Sequence, residues 1–218
     1  MDNTELKDKL LIATLSNVLF DGWTDHAVRG AATAVGLGPE MVLHAFPEGV
    51  AEVAAHFSDW ADRAMVAAYQ AEDTEALGTG ARVALAVRLR LEALEPHREA
   101  LRSWLAWLAL PNHAPVAVRL LYRTVDEIWY TAGDRSTDLS YYTKRAMLAG
   151  VVSATVLHWL GDESEDHAAS WDFLERSLKV TTGVGRSMAK AGELGRLLDL
   201  APSPVRFARQ LRRRFVGL

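Results

Sequence analysis

Gly38-Pro39-Glu40-Met41-Val42-Leu43-His44-Ala45-Phe46-Pro47 reads as one short helix with a stop at each end. Proline suits the first helical position, where the missing N–H would have no intrahelical partner. Phe46-Pro47 ends the run, because a residue before proline is pushed out of helical geometry. A helix this short cannot stand alone and must pack on its neighbours. Outward from it, Thr24 is placed to cap a helix that runs to about Val35 and stops at Gly36. Before that, Thr4 to Leu19 forms a helix with Leu6, Leu10, Ala13 and Leu15 inward, ended by Asp21-Gly22. Downstream the spacing predicts helices over Glu48–Ala71, from Asp73-Thr74 to Leu94, His97–Leu110, Pro111–Ala132, Leu139–Leu160 and Ser164–Val180. Strand-like alternation is missing, so the fold class is all-α.

Three short helices followed by longer ones resemble the layout of TetR-family regulators, and residues 38–47 resemble that family's recognition helix and its aromatic-Pro break. The implied architecture is a TetR-like bundle of about nine to ten helices. We expect a vestigial helix-turn-helix head over residues 1–47 and a ligand-binding and dimerisation body over 48–182. A linker with helical pieces follows over 183–202, then a basic amphipathic helix over 203–218.

The composition excludes several classes. Half of the 218 residues are apolar, enough for a substantial core, and there is no cysteine. Disulfides, thiolate metal sites and thiol nucleophiles are therefore ruled out together, and a reducing cytoplasm is the natural setting. The polar start Met1-Asp2-Asn3-Thr4-Glu5 does not read as a secretory signal. The longest uncharged runs, Ala146–Gly161 and Ser103–Val118, are shorter than the roughly 20 residues of a membrane span. Membrane contact is thus expected to be peripheral, on the inner membrane.

Charge is unevenly spread. The net charge is −4 overall, yet residues 1–60 hold nine acids against Lys7, Lys9 and Arg29, a local −6. A DNA-reading head needs Lys and Arg to neutralise phosphates. Residues 39–46 hold Glu40 and neither base. We therefore expect no nucleic-acid partner, and a ligand-responsive TetR-like regulator is the alternative function. The last helix, Pro204 to Val216, has the opposite balance. Phe207, Leu211 and Phe215 share one half of its wheel; Arg206, Arg209, Arg213 and Arg214 share the other, with Arg212 near the border. Arg206, Phe207, Arg209, Leu211, Arg213 and Phe215 are candidate contacts to an anionic membrane surface. The other reading packs this helix on its own body.

Catalytic signatures are missing. There is no Gly-x-Ser-x-Gly elbow and no phosphate-binding Gly-x4-Gly-Lys loop. Gly183-Val184-Gly185 is a lone Gly-x-Gly. Glu40/His44, Glu52/His56 and Glu163/His167 stand four apart rather than at the three-residue spacing of helical di-iron sites, and read as surface pairs along a helix. No cofactor, metal or catalytic residue is expected.

The run from Val125 to Ala149, which contains Glu127-Ile128-Trp129-Tyr130, Gly133-Asp134-Arg135-Ser136-Thr137-Asp138 and Tyr141-Tyr142-Thr143-Lys144-Arg145, closely resembles the central signature of the coenzyme-Q-nine family of ubiquinone-biosynthesis accessory proteins. Leu19-Phe20-Asp21-Gly22-Trp23-Thr24 and Asp172-Phe173-Leu174-Glu175-Arg176 agree with it. The resemblance implies a dimeric, non-enzymatic carrier. Its apolar pocket would hold an isoprenoid lipid or ubiquinone intermediate and present it to a pathway hydroxylase. With the helical spacing, it makes Val87, Leu91, Trp104, Leu108, Leu121, Val125 and Val152 candidate lipid contacts, with plain core packing as the other reading. It also makes Asp138, Tyr141, Tyr142 and Arg145 candidate partner contacts at an exposed edge, although Asp138 or Thr137 would equally serve as a helix cap. One departure stands out. Where the family shows aromatic-Asn-Trp-Tyr, this chain has Leu139-Ser140-Tyr141-Tyr142.

Overall fold

The computed structural model describes residues 2–134 and 139–181. The expected linker, the basic terminal helix and the cap at Thr137 or Asp138 lie outside the described residues. Contacts divide the chain into Met1–Leu178 and Lys179–Leu218, and the eight α-helices named below all lie in the first unit.

Helices α1 (Asn3–Asp21), α2 (Asp25–Ala34) and α3 (Pro39–Ala45) form the head. Thr24 Oγ1 accepts from Ala27 N at 3.2 Å, the expected N-cap. Helix α1 buries Leu6, Leu10, Leu11, Thr14, Leu15 and Val18, whereas Ala13 is only half-buried. Its inward stripe is wider than the expected one because α1 packs on α2 and α3 and also on α4 and α6.

The body is α4 (Val50–Gln70), α5 (Thr79–Leu94), α6 (Arg98–Leu108), α7 (Ala114–Thr131) and α8 (Leu139–Leu160), with further helix over residues 168–181. The junction from head to body is held by a side chain. Asp25 Oδ1 accepts from Val50 N at 2.8 Å and so caps α4 across 25 residues of chain. Gly49 makes this possible. It sits at φ 67°, and a Cβ there would lie 2.7 Å from Asp25 Oδ1. Beside it, Lys7 pairs with Glu52 at 2.9 Å, and Asp8 binds His56 Nε2 at 2.7 Å and Arg63 Nη2 at 2.6 Å. Burial outweighs Asp8 and keeps the His56 imidazole below its ordinary pKa.

Two helix starts fall more than a turn later than expected. Helix α5 begins at Thr79 rather than at Asp73-Thr74. Asp73 Oδ1 instead accepts from Glu75 N at 3.2 Å, a local turn that competes with helix, and Arg82 Nε donates to Thr74 O at 3.2 Å. The final helix begins at residue 168, after a 3-10 turn over Glu165–His167, rather than at Ser164. Asp162 explains that delay. It accepts from Ser164 N at 2.9 Å, Ser164 Oγ at 2.6 Å, Ser170 N at 2.8 Å and Ser170 Oγ at 2.5 Å. Arg98 Nη2 donates to Trp159 O at 2.5 Å and Asp162 O at 2.8 Å, and Arg102 Nη2 to Leu160 O at 2.7 Å. Two arginines of α6 therefore satisfy the last carbonyls of α8, where positive charge is favoured.

One apolar core runs from head to body, from Leu10 and Phe46 through Phe57 and Leu91 to Ile128 and Trp159. A polar set lies inside it. Arg90 Nε donates to Asp62 Oδ1 at 2.7 Å, and its Nη2 reaches Ser58 Oγ at 3.3 Å. Thr124 Oγ1 stands 3.0 and 2.9 Å from the two Asp62 oxygens. All four residues are buried, and they tie α4, α5 and α7 together.

Asp62→Ala leaves the Arg90 charge buried without its counter-ion and should cost about 3–5 kcal/mol of unfolding free energy. Asp62→Leu combined with Arg90→Met should recover most of that loss in urea unfolding. A single variant as stable as the parent would show that the pair does not hold the bundle. A second test concerns acid. The hydroxyls of Ser164 and Ser170, then their N–H groups, hold the Asp162 carboxyl well below the usual carboxylate range. A depressed folded pKa contributes stability that is present above about pH 4 and is lost as pH falls through the folded value. Asp162→Asn should therefore flatten the acid limb of the thermal midpoint against pH. An unchanged acid limb would refute this.

Candidate functional site

Three surfaces or interiors compete for function. The first is the face where a TetR-like head would meet DNA. Helix α3 turns Glu40, Leu43 and His44 outward, with Leu43 68% exposed, while Met41 and Val42 are half-buried. This exposed face offers no Lys or Arg to a phosphate.

The second is the interior of the body. Val87, Leu91, Trp104, Leu108, Val125 and Val152 are buried, and Leu121 is half-buried against them. They come from α5, α6, α7 and α8 and join one contiguous core. Trp104 is the polar exception among them. Its Nε1 donates to Ala54 O at 2.9 Å and its ring meets Phe57 edge-on at 5.8 Å, so it cross-links α6 to α4.

The third is the joint between α7 and α8, built by the signature run. Tyr142 is 73% exposed and Tyr130 62% exposed, so both rings are offered to solvent. Lys144 Nζ donates to Asp134 Oδ1 at 3.2 Å and lies 5.6 Å from the Trp129 ring centre. Arg145 corrects the expectation of an exposed anchor. It is buried, and its Nε and Nη2 reach Asp126 Oδ1 at 2.6 and 2.5 Å. Its length carries the guanidinium from α8 back to α7, so it clamps the two helices. Asp138 lies outside the described residues, as does the Tyr141 side chain. Tyr130 was not expected. Its signal was a tyrosine one turn after Asp126, on the outward side of an amphipathic helix.

Two of the three expected helix-surface Glu–His pairs are also corrected. His56 binds Asp8 rather than Glu52, and His167 Nε2 meets Glu95 Oε2 at 3.1 Å rather than Glu163. The remaining well-placed imidazoles are structural. His158 Nδ1 lies 3.1 Å from Ser170 Oγ, and His113 Nδ1 lies 2.8 Å from Trp107 O. Among the described residues no group of three or more His, Asp or Glu side chains is arranged to hold a metal ion. No helix among them is long and apolar enough to cross a membrane.

An open recess of about 330 Å³ lies at the far ends of α4 and α7. Val66, Tyr69 and Gln70 line it from α4, Glu72 and Thr74 from the following turn, and Glu127, Tyr130 and Thr131 from α7. None of the seven candidate lipid contacts lines it. Burial, and then the negative charges of Asp62, Asp126 and Asp59, raise the Glu127 carboxyl above its ordinary pKa.

The joint gives a direct test of which signature residues are structural. Tyr142→Ala should change unfolding free energy by no more than about 0.5 kcal/mol. Arg145→Ala should lower it by about 1–2 kcal/mol, because a buried charge-assisted bond is lost while Asp126 can still be solvated. Chemical denaturation of both variants reads the contrast, and equal effects would contradict it.

Comparison with known proteins follows the same lines. Residues 114–185, which contain α7, the joint and α8, match the COQ9 family model. The chain is 35% identical to the mitochondrial ubiquinone biosynthesis protein COQ9 of Drosophila melanogaster over 78% of this chain and 53% of that protein. It is 30% identical to COQ9-B of Xenopus laevis over 88% of this chain and 67% of that one, and 31% identical to human COQ9 over 89% and 63%. This chain thus spans between about half and two thirds of the length of these relatives. In fold it is similar to a TetR transcriptional regulator from Nitrosomonas europaea, with a TM-score of 0.67 at 20% identity, covering 82% of this chain and 98% of that one. The architecture is therefore TetR-like, and the chain belongs to the COQ9 family of ubiquinone biosynthesis proteins.

Proposed function

We propose that this protein is a non-catalytic carrier in ubiquinone biosynthesis. It binds an isoprenoid quinone intermediate inside the α-helical body and presents it to a pathway hydroxylase at the membrane surface. The observation that carries this reading is family membership joined to a TetR-like body whose DNA-side helix α3 exposes Glu40, Leu43 and His44. The fold keeps a body suited to apolar ligands, while the head lacks the charge that phosphate contact needs. The likeness to a regulator supports the fold alone, so the regulatory reading has no observation of its own.

The prenyl chain would enter among Val87, Leu91, Trp104, Leu108, Leu121, Val125 and Val152. Four helices meet there, and the contacts between them are apolar and non-directional. The exposed Tyr142 and Tyr130 rings, steadied by the Arg145–Asp126 clamp, form the hydroxylase contact together with Tyr141 and Asp138. Tyrosine presents a large rigid surface with a polar tip, which suits an anchor. Residues 203–218 would hold the carrier on anionic lipid, and a second copy would complete a homodimer. The imidazoles of His56, His113, His158 and His167 are engaged in packing contacts, which supports an accessory role rather than acid–base chemistry.

Native mass spectrometry with lipid extraction, on protein purified from its own host, should release a prenylated quinone or its precursor. The same preparation should float with anionic vesicles, and a form ending at residue 202 should not. Protein that carries only bulk phospholipid, or no lipid, would overturn the carrier assignment.

A further inference from the structure

The acids around the recess fall into two groups. Asp62 is paired with Arg90 at 2.7 Å, Asp126 with Arg145 at 2.5 Å, and Asp59 with Arg123 at 3.3 Å and Arg63 at 3.5 Å. Glu127 and Glu72 are different. Both line the recess, and among the described residues neither carboxylate has a hydrogen bond or ion pair. A third group shares their condition. Tyr69 is 8% exposed, lines the same recess, and its buried hydroxyl has no hydrogen-bond partner. A buried hydroxyl left unpaired is costly, and native structures rarely carry one without a reason.

We propose that this recess is a binding site for a small organic cation, an ammonium or guanidinium group on a short carbon frame, held by Glu127, Glu72 and the Tyr69 hydroxyl. A cation supplies what the site lacks. Its N–H groups would donate to two carboxylates and to the phenol oxygen, three acceptors with nothing bound to them. Charge-assisted bonds of this kind are the stronger class of hydrogen bond. The exposed Tyr130 ring at the rim adds an aromatic face, to which cations are attracted. The Val66 side chain offers apolar contact for the carbon frame. The recess volume, about 330 Å³, is at the lower end of the range for small-molecule sites. Burial, and then the neighbouring carboxylates, raise the Glu127 pKa and so penalise its negative charge, a penalty that a bound cation would relieve. An anion would face two acids and no free base. A bare apolar ligand would leave all three acceptors unmet. The site is separate from the seven core positions of the lipid reading and shares Tyr130 alone with the proposed hydroxylase contact.

Calorimetric titration of the full chain tests this with n-butylammonium, tetramethylammonium and methylguanidinium chlorides, each against matched sodium chloride, and with n-butanol as the neutral control. At least one cation should bind at a single saturable site, and n-butanol should not. Glu127→Gln should weaken binding about tenfold and Tyr69→Phe about threefold, as expected for losing a charged and a neutral hydrogen-bond partner. Glu99→Gln on α6 should bind as the parent does. Tyr69→Phe should keep or raise the thermal midpoint, since it removes an unpaired buried hydroxyl, so weaker binding there cannot be blamed on unfolding. No saturable binding of any of the three cations, equal binding of n-butanol, or parent-like binding in both Glu127→Gln and Tyr69→Phe would each overturn the proposal.

Discussion

The body of this protein is organised by a charge that is buried among apolar side chains. Arg90 lies on α5 among Ala86, Val87, Leu91 and Leu94, all buried, and it must be neutralised and hydrogen-bonded where it stands. Asp62 from α4 supplies the charge, Ser58 a further acceptor, and Thr124 from α7 closes the set on the carboxylate. Apolar packing alone would tolerate a slide of one helix past another by a turn. This set does not, because each displaced group would be left buried and unpaired. The register of α4, α5 and α7 is thereby fixed, and with it the end of the bundle where Tyr69 and Glu127 meet. Glu127 follows Thr124 by three residues and Val66 follows Asp62 by four, so the recess stands one helical turn beyond the buried pair on the same faces.

The head shows the opposite economy. Its interior packing, from Leu10 and Leu11 through Trp23 to Phe46, is that of a helix-turn-helix, and the Asp25–Val50 cap with Gly49 fixes its angle to the body. Nothing in that packing depends on the outward residues of α3. Surface charge could therefore change without cost to the fold, which is why a TetR-like architecture and an acidic head coexist in one chain.

Much of this was legible in the sequence. Pro39 and Phe46-Pro47 mark the limits of α3, Thr24 caps α2, and the span of α8 follows from its apolar run. Local chemistry with a single reading gave these away. Missed features depend on partners far along the chain. Asp73 and Ser164 both read as helix starters, but Asp73 closes a turn on Glu75 and Ser164 is drawn with Ser170 onto Asp162, so both helices begin late. Arg145 read as an exposed anchor because it follows two tyrosines in a polar stretch. Its bond to Asp126, 19 residues earlier, is not legible from that stretch. The recess was invisible for the same reason. Glu72, Tyr69 and Glu127 carry no shared spacing, and their lack of partners is a property of the folded chain.

The signature run is thus two things at once. Asp126, Asp134, Lys144 and Arg145 are bound to one another across the α7–α8 joint, and their types are fixed by reach: lysine and arginine on α8 are long enough to return to acids on α7 and its turn. Tyr130 and Tyr142 are the exposed rings of the joint. The pairs neutralise charge between the two helices, and the rings give the described outer surface its aromatic character. Exposed rings of this kind meet a partner by shape and apolar contact. On this argument the sequence of the joint is constrained from inside by the clamp and from outside by whatever meets the two rings.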